Sequence, residues 1–187
     1  MPRLTRVVVG ALPSEQPVLM SGALLLRPWA TSDAPALREA YADPDVQRWH
    51  AESLDETEAL AYAGQWAAHW QAGPRAGWAV VRHDVLVGRV TLTRLALEEG
   101  QAEVTYWTVP SARGTGVAPA AVEAVAAWAF GLGLQRLELQ HSTLNPASCR
   151  VAEKTGFVLE GTRRRAGLHA DGWHDMHLHA RLAPKTV

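Results

Sequence analysis

The chain has 187 residues, of which 48% are hydrophobic, so it is long enough to bury the core of one ordinary domain. Its formal charge of -1 gives no support for attraction to nucleic acid or to a membrane, and no apolar run approaches the length of a membrane span. A single cysteine excludes an internal disulfide framework and a multi-cysteine zinc site. We therefore expect a cytoplasmic protein, monomeric or homodimeric, with neither a nucleic-acid nor a membrane partner.

Residues 1–20 contain three prolines and show no clear periodicity. This composition predicts an N-terminal extension that is loosely attached or adds an edge strand. A single domain is predicted over residues 21–183. Its first strand, residues 24–27, ends at Pro28 because proline cannot continue the ladder of hydrogen bonds.

Two helices are predicted after the first strand, over roughly residues 34–42 and 55–71. Asp43-Pro44 closes the first helix, since a residue before proline avoids helical backbone. A capping box from Ser53 to Glu56 opens the second, in which apolar residues recur at spacings of three and four. The pair Trp49-His50 is predicted to lie in the loop between them.

The second half of the chain alternates strands with two helices. Three strands are predicted to form an antiparallel meander, over residues 77–82, 85–97 and 102–109. After a glycine-containing stretch follow a helix (117–130), a parallel strand (137–141), a helix (146–154) and a hairpin (157–165 and 173–182). The order β-α-α-β-β-β-α-β-α-β-β predicts an α/β protein, an α+β mixed sheet with helices on both faces.

The stretch from Val109 to Ala118 joins the fourth predicted strand to an almost wholly apolar helix, with two glycines directly before the helix. The amides of a first helical turn have no partner inside the helix and lie at the positive end of its dipole. Glycines let a backbone approach an anion closely. The stretch predicts a site for a diphosphate-containing cofactor, and the alternative is an ordinary strand-to-helix turn.

Two blocks resemble the GNAT superfamily of acyl-CoA-dependent N-acetyltransferases. Residues 113–118 match that family's Gln/Arg-x-x-Gly-x-Gly/Ala loop. Residues 145–157 are similar to the run Asn-x-x-Ser-x-x-Val-x-Glu-Lys-x-Gly-Phe in the branch of the ribosomal-protein N-terminal alanine acetyltransferases. The order of elements also matches over residues 21–183. The resemblance implies the GNAT fold, in which the sheet is splayed between the fourth and fifth strands.

The resemblance further implies acetyl-CoA as the cosubstrate and no metal. Backbone groups of Trp107, Thr108 and Val109 would bind the pantetheine arm in the gap between the splayed strands. The pyrophosphate would be held by the amides of Arg113, Gly114, Thr115, Gly116, Val117 and Ala118. Asn145 would bond the pantetheine or thioester region, and Ser148 would lie near the sulfur.

Attack of an amine on a thioester involves two proton transfers, because the ammonium must lose a proton and the leaving thiolate can gain one. Glu103, in the strand that lines the implied site, is the favoured general base, with His141 or a chain of water molecules as alternatives. Many family members have a tyrosine a few residues after the asparagine position, and this chain has none there. Ser148 is the nearest hydroxyl, so it is the candidate acid or a hydrogen-bond donor to the sulfur.

Trp29, Trp49 and His50 fall where the family forms its acceptor pocket. We expect them to shape the binding of a small-molecule or peptide amine. One departure from the branch is Thr105, which stands before Tyr106-Trp107 where glycine is usual. A side chain therefore replaces bare backbone beside the acceptor channel.

Three histidines near the C-terminus, His174, His177 and His179, resemble a group of metal ligands. On a strand, successive side chains point to opposite faces, so only His177 and His179 share a face, together with Asp175. We therefore predict no metal site.

The sequence predicts an enzyme that transfers an acetyl group from acetyl-CoA to a primary amine by direct attack on the thioester. The alternative is a non-catalytic module that binds acyl-CoA as a sensor. A nucleotide enzyme is excluded because the glycine stretch lacks the Lys-Ser/Thr of a P-loop and follows no first strand with a Rossmann-type pattern.

Overall fold

The structure is a computed structural model that describes residues 12–50, 52–73 and 75–184. An eight-stranded mixed sheet lies at its centre. The strands are β1 (Leu19–Ser21), β2 (Leu24–Arg27), β3 (Ala76–Arg82), β4 (Val85–Ala96), β5 (Gln101–Thr108), β6 (Arg136–Ser142), β7 (Val158–His169) and β8 (Gly172–Leu182). They are arranged in the order β1-β2-β3-β4-β5-β6-β8-β7, and only β5 and β6 run parallel. The mixed sheet predicted from the sequence is confirmed.

Helices cover both faces of this sheet. They are α1 (Ala34–Tyr41), α2 (Pro44–His50), α3 (Glu56–Ala72), α4 (Val117–Gly131) and α5 (Pro146–Lys154). One buried cluster joins the sheet to α4 and α5, and a second joins the opposite face to α1, α2 and α3. None of the helices in the described ranges is long and apolar enough to cross a membrane.

Helix α2 is the main departure from the sequence prediction, which placed Trp49-His50 in a loop. Asp43-Pro44 closes α1 as predicted, but it also opens the next helix. Proline suits a first helical position because its missing N–H would have no partner there. Asp43 Oδ1 accepts the N–H of Val46 at 3.0 Å and so caps the new helix. Trp49 and His50 therefore stand on a helix that contacts β7.

The capping box of α3 lies two residues later than predicted. Asp55 accepts the N–H of Glu58 at 2.8 Å, and Glu58 accepts the N–H of Asp55 at 2.9 Å. The predicted pair, Ser53 and Glu56, does not form the box because the helix begins at Glu56.

The N-terminal segment adds β1 to the edge of the sheet, antiparallel to β2. Just before it, the carbonyl of Pro13 accepts a hydrogen bond from the Trp70 indole at 2.9 Å, and that of Pro17 accepts one from Trp78 at 2.8 Å. These bonds tie residues 12–21 to the body of the protein. Residues 1–11 of the predicted extension lie outside the described residues.

The two parallel strands separate after a short contact. β5 and β6 pair only over Gln101–Glu103 and Arg136–Glu138. Both strands then continue for several residues without pairing to each other, β5 to Thr108 and β6 to Ser142. This is the splayed sheet that the resemblance implied, and the gap that it opens positions the site.

Candidate active site

A cavity of about 610 Å³ occupies the gap between β5 and β6. Both strands, helix α2 and the first turns of α4 and α5 line it. The predicted site residues that line it are Trp49, His50, Trp107, Thr108, Arg113, Gly114, Gly116, Val117, Ala118, His141, Asn145 and Ser148. Four predicted residues do not: Trp29, Glu103, Val109 and Thr115.

The loop before α4 presents free amides to this cavity. Gly114 and Gly116 have positive φ values of 75° and 84°, which L side chains rarely adopt. No hydrogen bond among the described residues engages the N–H groups of Gly114, Gly116, Val117 or Ala118. A Cβ built on either glycine would meet nothing within 4 Å, so an anion has room to approach. The loop therefore fits a pyrophosphate at a helix N-terminus.

The Arg113 side chain is directed away from this role. Its guanidinium forms ion pairs with Asp43 and with Asp45, the second at 2.9 Å. Its Nε donates to the carbonyl of Thr108 at 3.3 Å. The two carboxylates offset its charge, so backbone amides, rather than this guanidinium, are available to an anion.

The backbone direction along β5 indicates which residues can contact a ligand in the gap. The N–H of Val109 donates to the carbonyl of Val87 at 3.0 Å and so faces β4. In an antiparallel pair the hydrogen-bonding direction alternates along the strand. Trp107 therefore also faces β4 with its backbone, whereas Tyr106 and Thr108 present theirs to the gap. Those two residues carry the backbone groups that can extend the sheet toward a ligand, and of these the Thr108 carbonyl already accepts from Arg113 Nε.

Ser148 lies at the first turn of α5, where its N–H is accepted by Asn145 Oδ1 at 3.1 Å. Across the gap, the hydroxyl of Tyr106 donates to Ser148 Oγ at 3.1 Å. Burial raises the pKa of Tyr106 to about 12, so this phenol stays protonated near neutral pH. With one lone pair of Ser148 engaged, its own hydroxyl hydrogen remains free to point into the cavity.

The structure does not bring Glu103 into the cavity. Glu103 lies where β5 and β6 are still paired, opposite Glu138, and its carboxylate forms an ion pair with Arg94 at 3.3 Å. Burial raises the pKa of Glu103. The position of this carboxylate gives no support for its role as base. His141, the alternative, does line the cavity.

A chain of hydrogen bonds leads from the cavity to the surface. Ser142 lines the cavity, and its Oγ lies 2.8 Å from His174 Nδ1. The other nitrogen of that ring, Nε2, lies 2.9 Å from Asp171 Oδ1. Ser142 and His174 are buried, whereas the Asp171 side chain is 42% exposed. With His174 Nε2 protonated toward Asp171, Nδ1 is free to accept the Ser142 hydroxyl proton.

The α2 side of the cavity holds a buried positive charge. Arg89 is 8% exposed and donates to the hydroxyls of Tyr41, at 2.9 Å, and Tyr62. Among the described residues no carboxylate lies within ion-pair distance of Arg89, and its Nε has no partner. Burial, reinforced by Arg89, lowers the pKa of His50 to about 3, so that ring is neutral. Trp29 lies behind this wall, against the Tyr62 ring.

The family model "Acetyltransferase (GNAT) domain" matches residues 23–158. The chain belongs to the GNAT acetyltransferase family. It is an acetyl-CoA-dependent N-acetyltransferase. Because the family is catalytic, the alternative of a non-catalytic acyl-CoA sensor is rejected. The cavity fits the cosubstrate at both ends, with free amides at the glycine loop and a hydroxyl pair at Ser148.

The chain is also similar to several known proteins. It is 28% identical over 174 residues to "Uncharacterized N-acetyltransferase YoaA" of Bacillus subtilis, covering 90% of this chain and 98% of that protein. It is 31% identical over 104 residues to "Ribosomal-protein-serine acetyltransferase" of Escherichia coli, covering 55% and 58%. The structure of RimJ from Mycobacterium smegmatis in complex with CoA-disulfide has a TM-score of 0.80 at 24% identity, covering 91% and 89%. The likeness to RimJ concerns the fold.

Sequence reasoning missed several polar groups of the cavity: the Tyr106 hydroxyl, Arg89, Ser142, His174 and Asp171. Strand alternation was a usable signal for Tyr106, because it shares a face with Ala102 and Val104, which pack toward α4. No local signal marks the other four, since their contacts join elements far apart in the chain.

Proposed function

We propose that this enzyme acetylates the N-terminal amine of a protein or peptide whose first residues carry a carboxylate. The observation that supports the acceptor class is the buried guanidinium of Arg89 on the cavity wall, which donates to tyrosine hydroxyls and forms no ion pair with Glu52 or any other carboxylate of the described residues. A buried charge is costly unless it is paired. An acceptor that brings a carboxylate to Arg89 supplies the missing partner.

The name of the Escherichia coli relative supports a protein acceptor over a small amine. A ribosomal-protein acceptor would place the enzyme in the cytoplasm. For the oligomeric state we keep the prediction from the sequence, a monomer or a homodimer.

When bound, acetyl-CoA supplies the acetyl group as a thioester. In this proposal the free amides of Gly114, Gly116, Val117 and Ala118 hold the pyrophosphate, and the backbone of Tyr106 and Thr108 binds the pantetheine arm. Ser148, held by Tyr106, donates its hydroxyl hydrogen to the sulfur. This bond disperses the negative charge that the sulfur gains as the carbon–sulfur bond breaks.

We assign the removal of the amine proton to the chain from Ser142 to Asp171. The ammonium transfers a proton to Ser142 Oγ as the Ser142 hydroxyl proton moves to His174 Nδ1, which leaves a neutral amine and an intact serine hydroxyl. Asp171 stabilises the imidazolium that forms, as the carboxylate of a catalytic triad does. The exposed Asp171 side chain then lets the proton pass to solvent.

The test measures acetylation of a peptide panel by mass spectrometry, with acetyl-CoA and untagged enzyme. The peptides begin with Ser or Ala and carry Asp, Asn or Lys at the second and third positions. We expect acetylation of the N-terminal amine, with kcat/KM roughly tenfold higher for the Asp peptides, since a charge-assisted hydrogen bond contributes about 1.5–3 kcal/mol. An N-formylated peptide is the blocked control.

Arg89→Met is the matched variant, because it keeps the length of the side chain and removes the charge. It should bind coenzyme A normally and lose the preference for Asp peptides. If Arg89→Met keeps that preference, the acceptor assignment is wrong. If no peptide is acetylated while a polyamine or amino acid is, the acceptor is a small molecule.

A further inference from the structure

Three histidines and the only cysteine of the chain gather between α5 and the strands β6 and β8. His141 on β6 faces His177 on β8 as a direct cross-strand pair, and His179 follows on the same face of β8. Cys149 approaches from α5. One ligand atom of each residue lies within 4.8 Å of the others. The pattern on β8 alone predicted no metal site, because it showed only two histidines on this face. The fold adds the third histidine and a sulfur.

The spacing within this cluster suits a small cation. The two Nε2 atoms of His141 and His179 lie 3.1 Å apart. Two nitrogens bound tetrahedrally to zinc at about 2.0–2.1 Å are separated by about 3.3 Å. One edge of a tetrahedron is therefore already formed, and the side chains of His177 and Cys149 need only small movements to complete it.

Hydrogen bonding leaves the His141 imidazole ready to bind a metal, whereas the His179 Nε2 donates to His141 and must transfer that proton to its unpartnered Nδ1 before it can bind. His141 donates from Nδ1 to the carbonyl of Ser142 at 2.8 Å, which leaves the lone pair on Nε2. Such a bond to the outer nitrogen is typical of metal-binding histidines. Nδ1 of His177 and Nδ1 of His179 have no partner among the described residues, although His179 is 2% exposed.

The charge and exposure of the cluster also fit a metal ion. Cys149 donates to Glu153 at 3.5 Å, and that carboxylate adds negative charge beside the sulfur. His177 and Cys149 are both partly exposed, so an ion can enter from solvent. Imidazole and thiolate ligands favour zinc, cobalt or copper over magnesium and calcium, which prefer oxygen.

We propose that His141, Cys149, His177 and His179 form a tetrahedral binding site for a divalent transition-metal ion of the zinc type. Binding converts the Cys149 thiol to a thiolate, forms a metal–sulfur bond and releases one proton to solvent. The site lies on the α5 face of β6, opposite the face that carries Ser142. It is independent of the acceptor proposed above, although His141 belongs to both the cluster and the cavity wall.

The experiment titrates cobalt(II) into untagged protein that has been stripped with a chelator. We expect one equivalent to bind with a sulfur-to-cobalt charge-transfer band in the near ultraviolet and visible bands of tetrahedral cobalt. Zinc should displace it stoichiometrically. Cys149→Ser should remove the charge-transfer band, and His177→Asn should weaken cobalt affinity at least tenfold.

Both substitutions change partly exposed side chains, so the variants should fold, and coenzyme A binding checks this. His83→Asn, on an exposed turn far from the cluster, is the control and should bind cobalt as the parent protein does. The proposal is overturned if the folded parent protein shows no thiolate band. It is also overturned if cobalt binds equally well to the His177→Asn variant.

Discussion

Tyr106 and Ser148 share one hydrogen bond across the gap between β5 and α5. The tyrosine that many family members have a few residues after the asparagine position is missing from this chain. The phenol of Tyr106 instead reaches the Ser148 hydroxyl from strand β5. Tyr106 donates to Ser148, so Ser148 can donate onward to the sulfur. In the proposed mechanism the two residues act as one donor unit, in which the serine contacts the sulfur and the tyrosine fixes its orientation.

We expect Ser148→Ala and Tyr106→Phe each to lower kcat about threefold to tenfold, the range of one lost hydrogen bond. Because they form one unit, the double variant should lose little more than Ser148→Ala alone. Burial raises the pKa of Tyr106 to about 12. Ionisation of this phenol therefore occurs well above neutral pH, and the Tyr106→Phe pH profile should keep its shape below about pH 10. Losses that multiply in the double variant would contradict the shared role.

At the scale of elements, β6 separates two polar clusters on its two faces. His141 and Ser142 are consecutive, so their side chains point in opposite directions. His141 turns toward α5 and the cysteine, whereas Ser142 turns toward His174 and the side of α2. A single strand thus serves the cofactor side and the acceptor side of the cavity.

The proton path predicts a pH signature for His174→Gln. Without an acceptor for the proton, only an amine that is already neutral reacts. An N-terminal amine has a pKa of about 7.7–8.0, so kcat/KM of the variant should rise about tenfold per pH unit below that range. The parent enzyme should show a flatter profile, and the variant should fall progressively below it as the pH decreases from 8 to 7. Parallel profiles would exclude His174 from the proton path.

Glu103→Gln is the matched control for this measurement. Glu103 lies outside the cavity, so the kcat/KM of the variant should stay within about twofold of the parent value. This corresponds to the ~0.5 kcal/mol typical of a substitution that removes no important contact. Burial raises the pKa of Glu103, so the folded chain disfavours its charged form at neutral pH. The substitution should therefore keep or increase the free energy of unfolding at neutral pH, and any gain should vanish as the pH falls below about 4.

The order of the elements was predictable because periodicity, glycines and prolines act locally. Helix α2 could not be predicted, because Asp43-Pro44 is a signal both for the end of one helix and for the start of another. The sequence alone does not show that both signals are used. The glycine loop could be predicted for the same local reason. Arg89 and the Ser142–His174 pair could not, because their partners come from distant elements. The role predicted for Glu103 stays a prediction: the residue lies in the strand that lines the cavity, but before the two strands separate.

At the scale of the molecule, the sheet is continuous across β5 and β6 over only three residue pairs. The rest of this junction is bridged from one face, where α4 contacts both β5 and α5. A ligand that spans the gap from the glycine loop to Ser148 replaces the missing pairs. Acetyl-CoA should therefore stabilise the whole fold as well as react.

Gly116→Glu separates this ligand effect from folding. At a ligand concentration of 100 times Kd, acetyl-CoA should add about 2.7 kcal/mol to the stability of the parent protein, a Tm increase of roughly 5–10 °C. A residue other than glycine at φ 84° costs about 1–2 kcal/mol, so both Gly116→Ala and Gly116→Glu should have a lower Tm without ligand. Only the glutamate places a carboxylate where the pyrophosphate binds, so it should abolish the ligand-induced increase, whereas alanine should keep most of it. An equal increase in the two variants would show that the pyrophosphate does not lie at this helix N-terminus.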